Sequence, residues 1–167
     1  MAGALIVTAD LAEVDSGWLE GLRRKHYPFE RNQVPVHLTI FHSLPPAAEL
    51  EVRARLSRFA NQAVPRAMVA GLMDLGGGVA FRVVSEDLDR MREDLAADLH
   101  GLLGAQDIGG WRPHITIQNK VSSREARELR NSLEGDFQPR SLSIKGLGLH
   151  RYLDGPWERI AAYPFRG

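Results

Sequence analysis

Two stretches decide how this chain is read: Val34-Pro35-Val36-His37-Leu38-Thr39-Ile40-Phe41 and Trp111-Arg112-Pro113-His114-Ile115-Thr116-Ile117-Gln118. Each holds a His-x-Thr triplet among Leu and Ile. The chain has six histidines and only three threonines, Thr8, Thr39 and Thr116. Random placement would then give roughly 0.1 such triplets, and two are present. Polar and apolar residues in alternation mark a half-buried strand. On a strand, residues two apart share a face and neighbours face opposite ways. Leu38 and Ile40, like Ile115 and Ile117, therefore anchor in a core. His37 with Thr39, and His114 with Thr116, project together into one space. The same parity sets Phe41, Arg112 and Gln118 on the histidine face and sets His42 on the opposite one.

Outward from these strands, the two halves of the chain repeat one order. Residues 4–9 read as a buried strand ending at Asp10, which has capping-box spacing to Glu13. Leu11, Val14, Trp18 and Leu22 follow at helical intervals. A proline-bearing loop, 25–35, leads to the first motif strand, 36–41, closed by Pro45-Pro46. A helix carrying Leu50, Leu56, Phe59 and Ala63 and a strand over 67–75 complete the half. Gly76-Gly77-Gly78 is either a flexible interdomain linker or a hairpin turn into the strand 79–84, and three residues between two apolar runs more often make the turn. Ser85 caps a helix with Leu88, Met91, Leu95, Leu99 and Leu102 in phase. A glycine-rich loop, 101–110, precedes the second motif strand. Ser122 and Glu125 open a helix carrying Ala126, Leu129 and Leu133. Residues 141–152 and 157–165 read as strands joined at Asp154-Gly155-Pro156.

Strand–helix–strand–helix–strand thus occurs twice. Ile6 to His37 and Val83 to His114 both span 31 residues, which predicts a duplication with corresponding strands in two similar lobes. A doubly wound parallel sheet is the competing arrangement. No glycine-rich fingerprint follows the first strand, and the Gly76 turn points to antiparallel neighbours. The expected fold is α+β and bilobal, with two pseudo-two-fold-related antiparallel β-sheets, helices outside and a central cleft. One domain spans 1–167, with approximate repeats 3–75 and 79–150 and a closing strand 156–165.

Composition narrows the function. With 44% apolar and 25% charged residues, the chain is neither disordered nor fibrous. Lys+Arg and Asp+Glu number 21 each, so no bulk positive field draws long nucleic acid or an anionic membrane. The absence of cysteine removes disulfides, thiolate nucleophiles and thiolate zinc sites. The apolar run before Asp10 is too short, and lacks the basic flank, for a signal peptide. No stretch approaches the ~18 apolar residues of a membrane span. The expectation is a cytoplasmic protein without a membrane partner; the oligomeric state leaves no signature.

If the lobes face one another, two imidazoles and two hydroxyls meet in one cleft. That set suits a phosphodiester. A neutral imidazole takes a proton from water, a protonated one gives a proton to the leaving oxygen, and the hydroxyls hold the phosphate oxygens. A single strand histidine is more often structural than catalytic; duplication at matched positions reverses that balance. Metal binding is the other functional reading of histidine. It lacks ligands here, because no carboxylate or third histidine other than His42 lies close to either motif in the sequence. No metal and no cofactor are expected.

At these residues the chain resembles the two-histidine phosphoesterase superfamily, which includes the 2′-5′ RNA ligase and RNA cyclic phosphodiesterase families. The resemblance rests on the paired motifs HLTI and HITI, on the flanks VPVHLTIFHSLPP and WRPHITIQNKV, and on the ending HRYLDGPWE. It implies a bilobal α+β fold and metal-independent action on 2′,3′-cyclic phosphates or 2′-5′ linkages, at RNA ends or on small nucleotides. It also implies that His37 and His114 are the catalytic histidines and Thr39 and Thr116 their phosphate-holding partners. The second histidine would act as base toward water and the first as acid, roles that the pseudo-symmetry makes exchangeable. The chain departs from the ligase branch at His42-Ser43-Leu44-Pro45, where Phe-x-Gly is usual.

Further candidates follow from parity. Phe41 stacks a base or closes the edge of the core. Gln118 contacts phosphate or sugar, and Arg112 offers phosphate its planar fork. Tyr152 and Trp157 form a base platform or pack the core. His26, His100 and His150 read as structural or exposed. The leading function is an enzyme, a phosphodiesterase opening cyclic phosphates of nucleotides or RNA termini. The alternative from another class is a non-catalytic module that binds RNA ends or nucleotides in the same cleft.

Overall fold

In the computed structural model, which describes residues 3–167, β1 (Leu5–Leu11) is buried along nearly its whole length. It is followed by α1 (Glu13–His26), β2 (Leu38–Leu44), α2 (Glu49–Phe59) and β3 (Arg66–Asp74). The second half comprises β4 (Val79–Val84), α3 (Glu86–Asp98), α4 (Ala105–Ile108), β5 (His114–Gln118), α5 (Ser123–Asp136) and β6 (Arg140–Tyr152). β7 (Trp157–Pro164) closes the chain. Every strand pair is antiparallel, and the fold is α+β.

Pairing shows how the halves interlock. β1 pairs with β2 and β6, while β4 pairs with β5 and β3. Each sheet thus takes two strands from one half and its third from the other. β6 is long enough to serve both: Arg140–Ser143 pair with β3, and 144–151 pair with β1. β7 lies on the side of β6 away from β1. The 31-residue spacing is not the structural equivalence. Thr39 sits opposite Thr8 and Thr116 opposite Ala80, so corresponding strands are set by pairing, with connections of unequal length between them.

Several local signals act as the sequence predicts. The Ser85 hydroxyl accepts from the Leu88 amide at 3.0 Å, and the Ser122 hydroxyl from the Glu125 amide at 3.1 Å. Each contributes about 1 kcal/mol to its helix. Leu88, Met91, Leu95 and Leu99 are buried. Residues 75–78 make the hairpin turn between β3 and β4, with Gly76 at φ +81°, a conformation that costs glycine little.

The start of α1 differs. Asp10 caps nothing: β1 runs on to Leu11, Ala12 is the N-cap, and the Asp10 carboxylate pairs with Arg159. The helix is also rotated from the predicted phase. Val14 is exposed, and the inward positions include Asp15, Leu19 and Arg23. Asp15 tolerates burial because its carboxylate accepts from the Ser143 amide at 2.7 Å and the Trp18 indole at 3.0 Å. α2 likewise turns Leu50 outward and buries Val52.

Both motif strands carry a β-bulge at the same place. Between Thr39 and Phe41 the partner strand advances one residue, from Thr8 to Val7. Between Thr116 and Gln118 it also advances one, from Ala80 to Val79. An extra residue in one strand resets its alternation. Ile40 and Ile117 are therefore buried, and so are the residues that follow, Phe41 and Gln118.

Candidate active site

Leu38, Ile40, Ile115 and Ile117 are at most 1% exposed, each contributing about 2 kcal/mol by burial. They fix two strands from which His37, Thr39, His114 and Thr116 emerge half-buried. These four side chains line one cavity of about 340 Å³. Arg112, Arg92, His42, Trp111 and Trp157 are also in its wall.

The two histidines are held alike. His37 Nδ1 lies 2.8 Å from the Pro35 carbonyl, and His114 Nδ1 lies 2.7 Å from the Arg112 carbonyl. A carbonyl oxygen only accepts, so Nδ1 carries the proton in each ring. Nε2 is then the atom that takes or gives a proton in the cavity. The residue two positions before each histidine thus selects its tautomer and orients the imidazole.

His37 is the more enclosed in its contacts. Its ring centroid is 4.5 Å from that of Trp157. Burial pushes its pKa down to about 4, opposed by the Pro35 carbonyl and reinforced by Arg23, His150 and His114. Before an anion arrives, His37 is neutral at pH 7.

Long-range bonds hold the frame. Arg23, buried in α1, donates to the Thr116 carbonyl at 2.9 Å and to Asn32 Oδ1 at 2.8 Å. The Trp111 indole donates to the Thr39 carbonyl at 3.1 Å. Arg92 on α3 donates from Nε to the Ile40 carbonyl at 3.0 Å and from Nη2 to the Asp107 carbonyl at 2.8 Å. Helices and loops of one half thereby clamp the motif strand of the other.

The parity expectation fails beyond the fourth motif residue, and the bulges are the reason. Phe41 is fully buried, not on the histidine face, and packs beneath the Arg92 guanidinium 4.8 Å from its ring centroid. Gln118 is 4% exposed, and its Oε1 has no hydrogen-bond partner among the described residues. Neither lines the cavity. Arg112 does. His42, expected to face away, is turned into the cavity wall instead. Its Nδ1 lies 3.0 Å from Asp107 Oδ1. Trp157 faces the cavity, while Tyr152, its partner across the β6–β7 ladder, is not in the wall. His150 is outside this wall, with its Nε2 2.8 Å from the Thr8 hydroxyl, over Gly148, where a Cβ would lie 2.7 Å from that same oxygen.

Sequence reasoning missed Asp107, Arg92 and Trp111. Asp107 is 1% exposed, in the short α4 of the glycine-rich loop. Its carboxylate accepts from the His42 and Ser43 amides at 2.9–3.0 Å and from the His42 ring. Burial alone would raise its pKa; the bonds from His42 and the two amides more than offset this and hold it below the ordinary range. Asp107→Ala is expected to destabilise the protein by about 3 kcal/mol, because it strands buried donors. That loss lowers the unfolding midpoint by roughly 6–12 °C. A thermal melt unchanged within about 2 °C, less than the shift a 1 kcal/mol loss gives, would show that the carboxylate is not holding this loop.

Among the described residues, no three His, Asp or Glu side chains converge as a metal site, and no helix is long and apolar enough to cross a membrane. A larger hollow of about 670 Å³ between α1 and α5, walled by Trp18, Phe81 and Phe137, holds no histidine.

The 2′-5′ RNA ligase superfamily model matches residues 11–156, which include both motifs and the loop that carries Asp107. The chain belongs to this superfamily. No curated relative matches the sequence. The same fold occurs in TT0787 of Thermus thermophilus, with TM-score 0.68, 21% identity and 98% of each chain covered. Escherichia coli LigT complexed with 3′-AMP aligns over 100% of both chains with TM-score 0.61 and 16% identity. A phosphoesterase of 15% identity aligns equally fully, with TM-score 0.62. Membership in the 2′-5′ RNA ligase superfamily supports a phosphoesterase-type function.

Proposed function

We propose that the protein hydrolyses 2′,3′-cyclic phosphates, or 2′-5′ linkages, at RNA ends or on small nucleotides. One observation carries this: two imidazoles with identically anchored Nδ1 atoms line one cavity with the hydroxyl-bearing residues Thr39 and Thr116. A cyclic phosphate between the rings presents its phosphorus to water on one side and its leaving oxygen to the opposite imidazole. Thr39 and Thr116 are the hydroxyl donors for the non-bridging oxygens, where charge grows in the transition state. The chain balances water's proton against the leaving group's proton within the histidine pair, so the reaction runs without a metal.

The lowered pKa suits His37 to accept the proton from water and leaves His114 to donate one. This order is the reverse of the one the resemblance implies. Balanced charge, 21 basic against 21 acidic residues, favours short or terminal substrates over long RNA. The 3′-AMP held by LigT is of the same chemical class as the product of such a ring opening.

A panel of 2′,3′-cyclic nucleotides, cyclic-phosphate-ended oligonucleotides and 2′-5′ dinucleotides, assayed with and without chelator, tests the reading. Turnover of a cyclic phosphate undiminished by chelator is the expected result. The pH dependence of kcat/KM is expected to be bell-shaped, with its acidic limb near the pKa of about 4 at which free His37 becomes protonated. A flat profile, or tight binding of every substrate without turnover, would leave a binding module in place of an enzyme.

A further inference from the structure

The two His–Thr couples are matched, but the cleft around them is not. Past the bulge, His42 on β2 corresponds to Asn119, which follows β5. His42 lines the cavity and Asn119 does not. The Asp107 carboxylate accepts from His42 Nδ1, so Nε2 is the ring atom available to a ligand. Arg92 lines the same end. Its two bonds to backbone carbonyls use Nε and Nη2, leaving Nη1 outside them. The guanidinium is braced 4.8 Å from the Phe41 ring and 5.4 Å from the Trp111 ring. The negative charge of Asp107 is taken up by two amides and the His42 ring and is almost wholly buried. What this end of the cleft offers a ligand is a preorganised cation and an imidazole nitrogen.

Neither His42 nor Arg92 is needed for proton transfer by the His37–His114 pair. Phe41 is one ladder position beyond Thr39 across the bulge, and His42 follows it on β2, three residues past Thr39. Three residues of strand span at most about 10 Å and the bulge shortens this. His42 and Thr39 line one cavity, so a ligand whose first phosphate meets Thr39 can present a second one to His42.

We propose that His42 and Arg92 form a subsite for a second phosphate of the substrate, one sugar away from the phosphate undergoing reaction. The inference rests on the phosphodiesterase reading for the position of the first phosphate. Arginine's planar fork on rigid supports matches phosphate geometry, and little side-chain freedom is lost on binding. The second phosphate belongs either to a 5′-phosphorylated mononucleotide or to the internucleotide linkage of an RNA end, and the same atoms serve both.

Calorimetric titration distinguishes these sources. The ligands are adenosine 3′-monophosphate, adenosine 3′,5′-bisphosphate, and a diadenosine dinucleotide with a 3′-phosphate and no 5′-phosphate. The bisphosphate or the dinucleotide is expected to bind about 10–100-fold more tightly than the monophosphate at equal ionic strength. Preference for the bisphosphate alone assigns a terminal 5′-phosphate; preference for the dinucleotide assigns the internucleotide linkage. His42→Asn keeps a donor for Asp107 but removes Nε2, and Arg92→Gln removes the charge. Each is expected to bring the ratio close to one, with Arg92→Lys recovering part of it. Arg124→Gln, on the exposed face of α5 outside the cleft, loses the same charge and keeps the preference. Equal affinity for all three ligands in the unmodified protein, or a preference that survives in both His42→Asn and Arg92→Gln, overturns the subsite. Cyclic-phosphate turnover without such a preference rejects the subsite and keeps the hydrolase. The preference without any turnover rejects the hydrolase and keeps the subsite.

Discussion

Replacing either His37 or His114 by alanine is expected to lower kcat/KM for a 2′,3′-cyclic nucleotide by about 10³-fold. General acid and general base each contribute roughly 10²–10⁴-fold, and neither imidazole has a substitute that its neighbours hold in the same way. His150 is tied to Thr8, and His42 is tied to Asp107. The pair acts as a unit, since the proton taken from water must be matched by one given to the leaving oxygen. The double variant should therefore fall little below the single ones. Folding is expected to survive, because both rings are half-buried and their strands are anchored by Leu38, Ile40, Ile115 and Ile117. A cost of about 1 kcal/mol, or roughly 2–4 °C in the unfolding midpoint, is the expected limit. Steady-state kinetics beside a thermal melt read both quantities. Full activity in either alanine variant would remove the acid–base pair from the mechanism.

Thr39→Val and Thr116→Val are expected to lower kcat by about 10²-fold each, with KM changed much less. Valine keeps the shape of threonine and its preference for a strand, so the substitution isolates the hydroxyl. A donor aimed at charge that develops only in the transition state acts on kcat, in the range of roughly 10²–10³-fold per donor. Serine at either position restores the hydroxyl and should recover most of the rate. A rise in KM at constant kcat would instead mean that the hydroxyls hold ground-state phosphate only.

These two sets of variants bear on residues legible in the sequence, and the reason is local. His37 and Thr39, like His114 and Thr116, stand two residues apart inside a run whose apolar members fix the face. Up to Ile40 and Ile117, alternation alone gives the correct direction. One residue later it does not. A bulge is a property of two paired strands, and nothing within the run that ends in Phe41 shows that Thr8 and Val7 will oppose Thr39 and Phe41. The extra residue in each strand buries Phe41 and Gln118, and the one in β2 brings His42 into the wall.

Local capping was readable at Ser85 and Ser122, where donor and acceptor lie three residues apart. It misled at Asp10, whose partner Arg159 is 149 positions away. Separation along the chain also hides Asp107 and Arg92. Both read as ordinary charged residues until α3 and the glycine-rich loop are laid against β2.

Strand and helix order, the antiparallel turn at Gly76 and the four motif side chains could all be read from the chain unaided, because each depends on neighbours within a few positions. Folding in three dimensions was needed for the exchange of third strands between the halves, for the placing of both imidazoles on one cavity, and for the His42–Asp107–Arg92 end of the cleft. Those depend on register, and register is settled only when buried faces and backbone hydrogen bonds of distant segments are satisfied together.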